Sequence, residues 1–169
     1  QVVMNQFATG VPLDKILASH QEKLDKLGSE RAEQSVIVQE KTMIIDGLAI
    51  CDLSETGMRS NGYLITSLAG PKALACCVIH GYLDGSIEDA NRPALGASFY
   101  ANSFRDEENP YDLSLLATLL DKTGGGHANA CGCRIQPSDK SRKLIFSDKD
   151  YNLEKWIELW KNRESKMRR

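Results

Sequence analysis

The chain has 169 residues, of which 41% are hydrophobic and 26% are charged, and its formal net charge is −2. This composition is typical of one globular domain with a flanking element, and the net charge gives no overall attraction to nucleic acid. No apolar run reaches the ~18 residues that a membrane helix needs, and no signal-peptide pattern opens the chain. We therefore expect a cytoplasmic protein that makes no contact with a membrane.

The first third of the chain is predicted to contain a helix and then a β-hairpin. Apolar residues recur at helical spacing between Leu13 and Leu27, which predicts an amphipathic helix. Asp46-Gly47 is a strong hairpin signal, and it separates the β-type run 42–45 from an apolar return strand at 48–53. A further β-type run, 36–38, is also predicted to be a strand.

The middle of the chain is predicted to contain a helix and two paired strands. Ser60-Asn61 could cap a helix around residues 63–68. The apolar runs 73–82 and 94–104 are joined by a short acidic link, so an antiparallel pair is expected. His80 lies in the first of these runs, and we interpret it as a structural histidine rather than one that faces a pocket.

The last part of the chain alternates between short helices and short strands. A helix is predicted at 113–120, a strand from Cys133, a second short strand at 144–146 and a final helix at 152–160, before a basic tail that we expect to be solvated. Together the elements predict an α/β fold with a mixed β-sheet of about five or six strands and packed helices.

Metal sites are not predicted in this chain. The five cysteines show no CxxC pair, and buried reduced thiols are their plainest explanation. Cys131 and Cys133 lie near His127, but their spacing is not that of a usual zinc site. Asp46 and Asp52 could be a carboxylate pair, although their positions in a turn and at a strand end need no metal.

The stretch Gly124-Gly125-Gly126-His127 is the strongest candidate for a functional site. Glycine lets the backbone approach a ligand closely and adopt positive φ, and successive free N–H groups can form a concave anion site. His127 would place an imidazole at its rim. The glycines could instead form only a helix cap and a tight turn, and the residues alone leave both interpretations open.

The string GGGHANACG, at residues 124–132, resembles the GGGHxxAAG signature of the DHHA1 domain. This domain is the C-terminal, substrate-binding half of DHH-family phosphoesterases, which include oligoribonucleases, nucleotide phosphatases and exopolyphosphatases. Cys131 stands where the family usually has alanine. The resemblance extends from about Gln34 to Ile135 or beyond, and it implies an N-terminal connector helix at 1–33 and a DHHA1-like domain at 34–169.

A second segment, Ser103-Phe104-Arg105-Asp106, is similar to the Ser-Leu-Arg-Ser-like segment that precedes the glycine motif in the family, and departs from it at Asp106. The family arginine is associated with substrate phosphate, which a guanidinium can bind through two hydrogen bonds. Because Asp106 would compete for that guanidinium, a plain surface arginine is an equal alternative. The resemblance implies a substrate-binding set formed by Gly124, Gly125, Gly126, His127, Arg105 and Ser103.

The resemblance implies no catalytic residue in this chain. In DHH phosphoesterases an Asp-His-His triplet in the N-terminal half holds divalent metals, typically manganese, that activate water. This sequence has no Asp-His-His, and its three histidines lack such neighbours. We therefore expect the metal-binding DHH domain to be a missing upstream part of the same protein. Short oligonucleotides, nucleotide phosphates or cyclic dinucleotides are the expected substrates, and a homodimer is a further expectation.

Two other functions stay open from the sequence. The chain could be a stand-alone nucleic-acid-binding module related to the C-terminal domain of alanyl-tRNA synthetases, although its near-neutral charge argues against strong binding to a phosphate backbone. It could also be a structural or dimerisation domain in which the glycines only form a turn.

Overall fold

The computed structural model describes residues 2–81 and 95–169, together with the backbone of two short strands at 88–89 and 92–93. The chain divides into two compact units, residues 1–37 and 38–169. Three helices, rather than the single connector helix predicted, begin in the first unit: α1 (Val2–Ala8), α2 (Leu13–Ser19) and α3 (Gln21–Glu40). Within the described ranges, no helix combines the length and the apolar character needed to cross a bilayer.

The second unit is built on a six-stranded mixed β-sheet. Its strands are β1 (Thr42–Ile45), β2 (Leu48–Leu53), β3 (Ala75–His80), β6 (Gly96–Ala101), β7 (Gly125–His127) and β8 (Ala130–Arg134), while β4 (Glu88–Asp89) and β5 (Arg92–Pro93) form a separate pair. The strand order is β1-β2-β3-β6-β8-β7. Only the neighbours β2 and β3 run parallel, and the other neighbouring pairs of this sheet are antiparallel. The predicted α/β fold with a mixed sheet is confirmed.

The helices of this unit divide between the two faces of the sheet. They are α4 (Gly62–Ala69), followed by a 3₁₀ turn (Gly70–Lys72), then α5 (Ser114–Thr118), α6 (Asp148–Lys161) and α7 (Arg163–Lys166). One face packs on α5 and α6, where Phe99 meets Trp156 edge-on with ring centroids 5.1 Å apart. Burial of such aromatic and aliphatic side chains is the main stabilising contribution.

Helix α4 lies on the opposite face of the sheet, against β3 and β6. The side chain of Asn61 caps it by accepting a hydrogen bond from Leu64 N at 3.2 Å, as one of the two predicted capping residues should. The Asp46-Gly47 turn is also confirmed, with φ of 49° and 80° and β1 paired to β2 on either side.

Three local predictions are wrong. Residues 36–38 lie in helix α3, because the helix continues to Glu40 and overrides the β propensity of a short apolar run. Residues 144–146 form no strand, and instead lead into helix α6. The basic tail is not simply solvated: Met167 is 1% exposed, and Arg163 forms an ion pair with Asp46.

Candidate functional site

The glycine stretch forms one strand of a tight β-hairpin, and not the helix cap and tight turn that the sequence left open. Gly125, Gly126 and His127 pair with Gly132, Cys131 and Ala130, respectively. Residues 128–129 make the turn. The strand β7 is the last in the sheet, so one of its edges has no neighbouring strand among the described residues.

The three glycines point to alternate faces, as successive residues of a strand must. A β-carbon at Gly124 would lie 2.9 Å from Cβ of Cys133, and one at Gly126 would lie 2.7 Å from Cα of Cys131, so both positions face packed atoms. A β-carbon at Gly125 would meet nothing within 4 Å. Gly125 therefore faces open space.

Directly paired residues of antiparallel strands share a face, so the register defines what surrounds Gly125. Ser98 pairs with Gly132, Tyr100 pairs with Ala130, and Ala130 pairs with His127. These residues, with Gly125 and Arg134, form what we call the open face: Ser98, Tyr100, Gly125, His127, Ala130, Gly132 and Arg134. The glycines at its centre have no side chain, and Ala130 and Ser98 add only a methyl and a hydroxymethyl group. The rim carries the imidazole of His127, the phenol of Tyr100 and the guanidinium of Arg134.

At one end of the open face lies a cavity of about 460 Å³, next to the hairpin turn. Ser103 and Arg105 line it together with Tyr100, Asn129 and Ala130, and three carboxylates also line it: Asp106, Glu107 and Glu108. The guanidinium of Arg105 already donates to Pro71 O at 2.8 Å and to Glu107 Oε2 at 3.2 Å. The structure thus brings both sequence-predicted polar residues to the hairpin, but with the arginine partly engaged by a neighbouring carboxylate.

At the other end lies a second cavity of about 400 Å³, lined by Gly124, Ser98 and Gly132 and by three basic side chains: Arg59, His80 and Arg134. Within the described residues, Nδ1 of His80 is buried without a hydrogen-bond partner. Burial, and next the nearby charge of Arg59, lower the pKa of His80. His80 therefore lines a cavity, and the prediction that it is a structural histidine stays a prediction.

Sequence reasoning missed both arginines of the second cavity. Arg134 could have been found, because it follows Ala130 and Gly132 at the two-residue period of a strand and so shares their face. Arg59 lies between β2 and α4 in a segment without regular structure, and the sequence carries no pattern that would place it there.

Hydrogen bonds fix the hairpin at both ends. The buried carboxylate of Asp121 accepts hydrogen bonds from Thr123 N at 2.9 Å and from Arg134 N at 2.8 Å. Burial alone would raise the pKa of Asp121, but these bonds lower it. At the turn, Leu113 N donates to Ala128 O and Ala101 N donates to Asn129 O, each at 2.9 Å. The open face is therefore held in place before any ligand binds.

The described side chains include no cluster of three or more His, Cys, Asp or Glu residues that could hold a metal ion. Asp46 and Asp52, weighed above as a carboxylate pair, each bind a cation of the chain instead: Arg163 and Lys149. All five cysteines are unpaired, and Cys133 is the one that is not fully buried.

The fold is similar to those of two solved structures. One is a pGpG-specific phosphodiesterase, PggH from Vibrio cholerae, with a TM-score of 0.68 and 17% identity over 92% of this chain. The other is an exopolyphosphatase-related protein from Bacteroides fragilis, with a TM-score of 0.51 and 15% identity over 95% of this chain. This chain spans 48% and 44% of their respective lengths.

No protein-family model matches the chain, and no curated protein sequence matches it. At these identities, the similarity to the two solved structures establishes the fold alone. The fold of this chain is thus an α/β fold similar to that of the pGpG-specific phosphodiesterase PggH.

Proposed function

We propose that this chain is a DHHA1 domain, the substrate-binding half of a metal-dependent DHH phosphoesterase. Its substrates are short oligonucleotides, nucleotide phosphates or cyclic dinucleotides. The observation that carries the proposal is the hairpin itself, which presents Gly125 without a side chain and His127 two residues later on the same open face. The names of the two structural neighbours, a phosphodiesterase and an exopolyphosphatase-related protein, support the same class of chemistry.

The open face suits a phosphoryl group for two physical reasons. A floor without side chains lets phosphate oxygens approach the backbone closely, and the exposed imidazole of His127 can donate a hydrogen bond to a phosphate oxygen. Ser103 and Arg105 line the adjoining cavity. In this proposal they add a hydroxyl and a guanidinium to the same substrate.

The division of labour leaves the cleavage step to another domain. The described residues offer no donor set that fits a divalent metal, so we derive no metal-dependent step for this chain. The proposed partner is an N-terminal DHH domain of the same protein that binds the metal, with manganese as the expected ion. This chain would bind and orient the substrate, which can contribute many kcal/mol towards lowering a reaction barrier.

Isothermal titration of this chain with a short 5′-phosphorylated oligoribonucleotide tests the proposal. Replacing His127 with alanine is expected to weaken binding about 10- to 150-fold, because one charge-assisted hydrogen bond of about 1.5–3 kcal/mol is lost. His20→Ala is the matched control, since His20 lies in the N-terminal helical unit and bonds Gln6. Equal affinities for the wild type and for His127→Ala would refute the assigned role.

A further inference from the structure

Tyr100 is the one aromatic side chain of the open face, and it lies beside the glycine hairpin. It is half-buried in strand β6, and its cross-strand partner is Ala130. The same alanine pairs on its other side with His127. An aromatic ring, a methyl group and an imidazole therefore follow one another across three strands.

The fold makes room for this ring at a specific place. A β-carbon at Gly62 would lie 2.2 Å from Cδ2 of Tyr100, so the first residue of helix α4 must be glycine for the ring to lie where it does. Tyr63 adds a second wall, with ring centroids 6.1 Å apart and planes tilted by 48°. Helix α4 thus supports one side of the Tyr100 ring.

The other side of the ring is next to Ala130, whose side chain is a single methyl group. Directly paired β-carbons are about 5 Å apart, so Tyr100 and His127 stand about 10 Å apart across Ala130. A flat ring of a ligand fits over the alanine in that interval. The cavity of about 460 Å³ lined by Tyr63, Tyr100 and Ala130 opens at the same point, and its size is within the range of small-molecule sites.

We propose that Tyr100 is the stacking surface for a nucleobase of the substrate, next to the phosphate position at Gly125 and His127. This inference rests on the proposed function and assigns a residue to the base of its substrate. A phosphate site alone would accept inorganic polyphosphate as well as nucleotides, whereas a stacking ring stabilises only a ligand that has a base. The substrate class is therefore a nucleotide or short oligonucleotide, and not an inorganic polyphosphate.

Stacking on an aromatic side chain also predicts how the chain selects among nucleobases. Every base has a π-face, so the contribution is of similar size for different bases and does not read sequence. Within the described residues, no hydrogen bond engages the hydroxyl of Tyr100, so phenylalanine should replace tyrosine without loss. Leucine has a comparable volume without the π-face.

Calorimetric titrations of the whole 169-residue chain with two probes separate the contribution of base stacking from that of phosphate binding. The probes are the dinucleotide pGpG and inorganic tripolyphosphate, and the proteins are the wild type, Tyr100→Leu, Tyr100→Phe and His127→Ala. Tyr151→Leu is the control for loss of a tyrosine elsewhere, since Tyr151 lies in α6. Thermal unfolding followed by circular dichroism checks that each variant is folded.

The proposal predicts that Tyr100→Leu weakens pGpG binding about 5- to 150-fold, as removal of one stacked base contact does. The same variant should bind tripolyphosphate like the wild type, and Tyr100→Phe should bind both probes like the wild type. His127→Ala should weaken the binding of both probes. Unchanged pGpG affinity in a folded Tyr100→Leu overturns the stacking role alone, provided that His127→Ala still weakens binding.

If His127→Ala changes neither affinity, or if the wild type binds neither probe, the proposed function itself fails and the stacking role with it. A second measurement uses only the wild-type chain, so it does not depend on the folding of a variant. A dinucleotide that carries 2-aminopurine should lose fluorescence when the wild-type chain binds it, because a stacked base is quenched. Binding without quenching would overturn the proposal.

Discussion

Asp52 and Lys149 form an ion pair, with Nζ 2.8 Å from Oδ2, although 97 residues separate them in the sequence. Ser54 Oγ lies 2.9 Å from the same ammonium nitrogen and 2.5 Å from Oδ1 of Asp52. The aromatic ring of Phe146 lies 4.3 Å from the ammonium. This cluster joins the end of β2 to the first turn of α6, and so connects the sheet to the helix that covers its packed face.

Replacing Lys149 with methionine is expected to destabilise the fold by about 2–3 kcal/mol, because Asp52 and Ser54 would lose a charged partner in a largely buried place. Lys155→Met is the matched control on the same helix, where the ion pair with Glu158 is exposed, and its effect on stability is expected to be much smaller than that of Lys149→Met. Urea unfolding measures both. If the two variants lose similar amounts of unfolding free energy, the cluster does not have the stabilising role assigned to it.

Stability is expected to fall between pH 7 and pH 5 because of His80. Burial, and next the charge of Arg59, lower the pKa of this histidine below its ordinary value of 6.5. As the pH falls through that value, the unfolded chain takes up the proton before the folded chain does, which favours unfolding. One such group changes the free energy of unfolding by at most about 1.4 kcal/mol per pH unit.

The variant His80→Gln removes this titration, so its stability should depend less on pH in that window than the wild type. Unfolding midpoints in urea at half-unit pH intervals measure the difference. Asp52 and Asp121 do not contribute to the pH dependence in this window. Their pKa values are lowered from 3.8, so these carboxylates take up protons only in more acid solution. Parallel profiles for wild type and variant would show that His80 is not the group responsible.

The features that the sequence predicted well are those that short-range chemistry determines. Asp46-Gly47 requires positive φ at two neighbouring positions, and few residue pairs other than this one adopt it readily. Asn61 accepts a hydrogen bond from an amide of its own helix. The apolar runs that became β2 and β3 are buried in the sheet, where their composition suits them, and β6 alternates between buried and half-buried residues.

The features that the sequence did not reveal depend on distant neighbours. Residues 36–38 have β propensity, but they continue a helix that begins at Gln21. The glycine stretch could have been a helix cap and tight turn, and it is a strand because β8 supplies its hydrogen-bond partners. Arg59 and His80 share a cavity only through the parallel pairing of β2 with β3, a long-range contact that no local pattern encodes.

The three glycines are expected to respond differently to alanine. A β-carbon at Gly124 would lie 2.4 Å from the carbonyl oxygen of Ala117, and one at Gly126, where φ is +136°, would lie 2.7 Å from the carbonyl oxygen of Ala130. Overpacking against rigid backbone costs about 1–3 kcal/mol, so Gly124→Ala and Gly126→Ala should lower the free energy of unfolding by about that amount.

Gly125→Ala should cost less stability, because its methyl group enters open space, which leaves only the backbone strain of an alanine at φ +157°. That methyl group would instead occupy the place proposed for a phosphoryl oxygen, so oligoribonucleotide affinity should fall while the fold is retained. Urea unfolding of the three variants tests the predicted stabilities, and calorimetric titration tests the predicted affinities. A Gly125→Ala chain that unfolds as readily as the other two would show that this position also serves packing.

The C-terminal residues are expected to stabilise the hairpin turn locally. The guanidinium of Arg169 donates to Asn109 O and to Asn129 Oδ1, the latter at 3.2 Å. Arg169 N donates to Pro110 O at 2.9 Å. Asn129 is one of the two turn residues, so Arg169 connects the turn of the β7–β8 hairpin to the segment before α5.

Replacing Arg169 with alanine removes the two side-chain bonds and keeps the backbone bond. Amide hydrogen exchange at residues 126–130 should become faster, because local opening of the turn no longer breaks those contacts. The global free energy of unfolding should change by less than about 1 kcal/mol, since the arginine is exposed at the surface. Arg168→Ala is the neighbouring control, because Arg168 pairs only with Glu164 in the described structure. If both variants exchange at the wild-type rate, the contacts from Leu113, Ala101 and Asn109 are sufficient to hold the turn, and the arginine has no part in presenting His127.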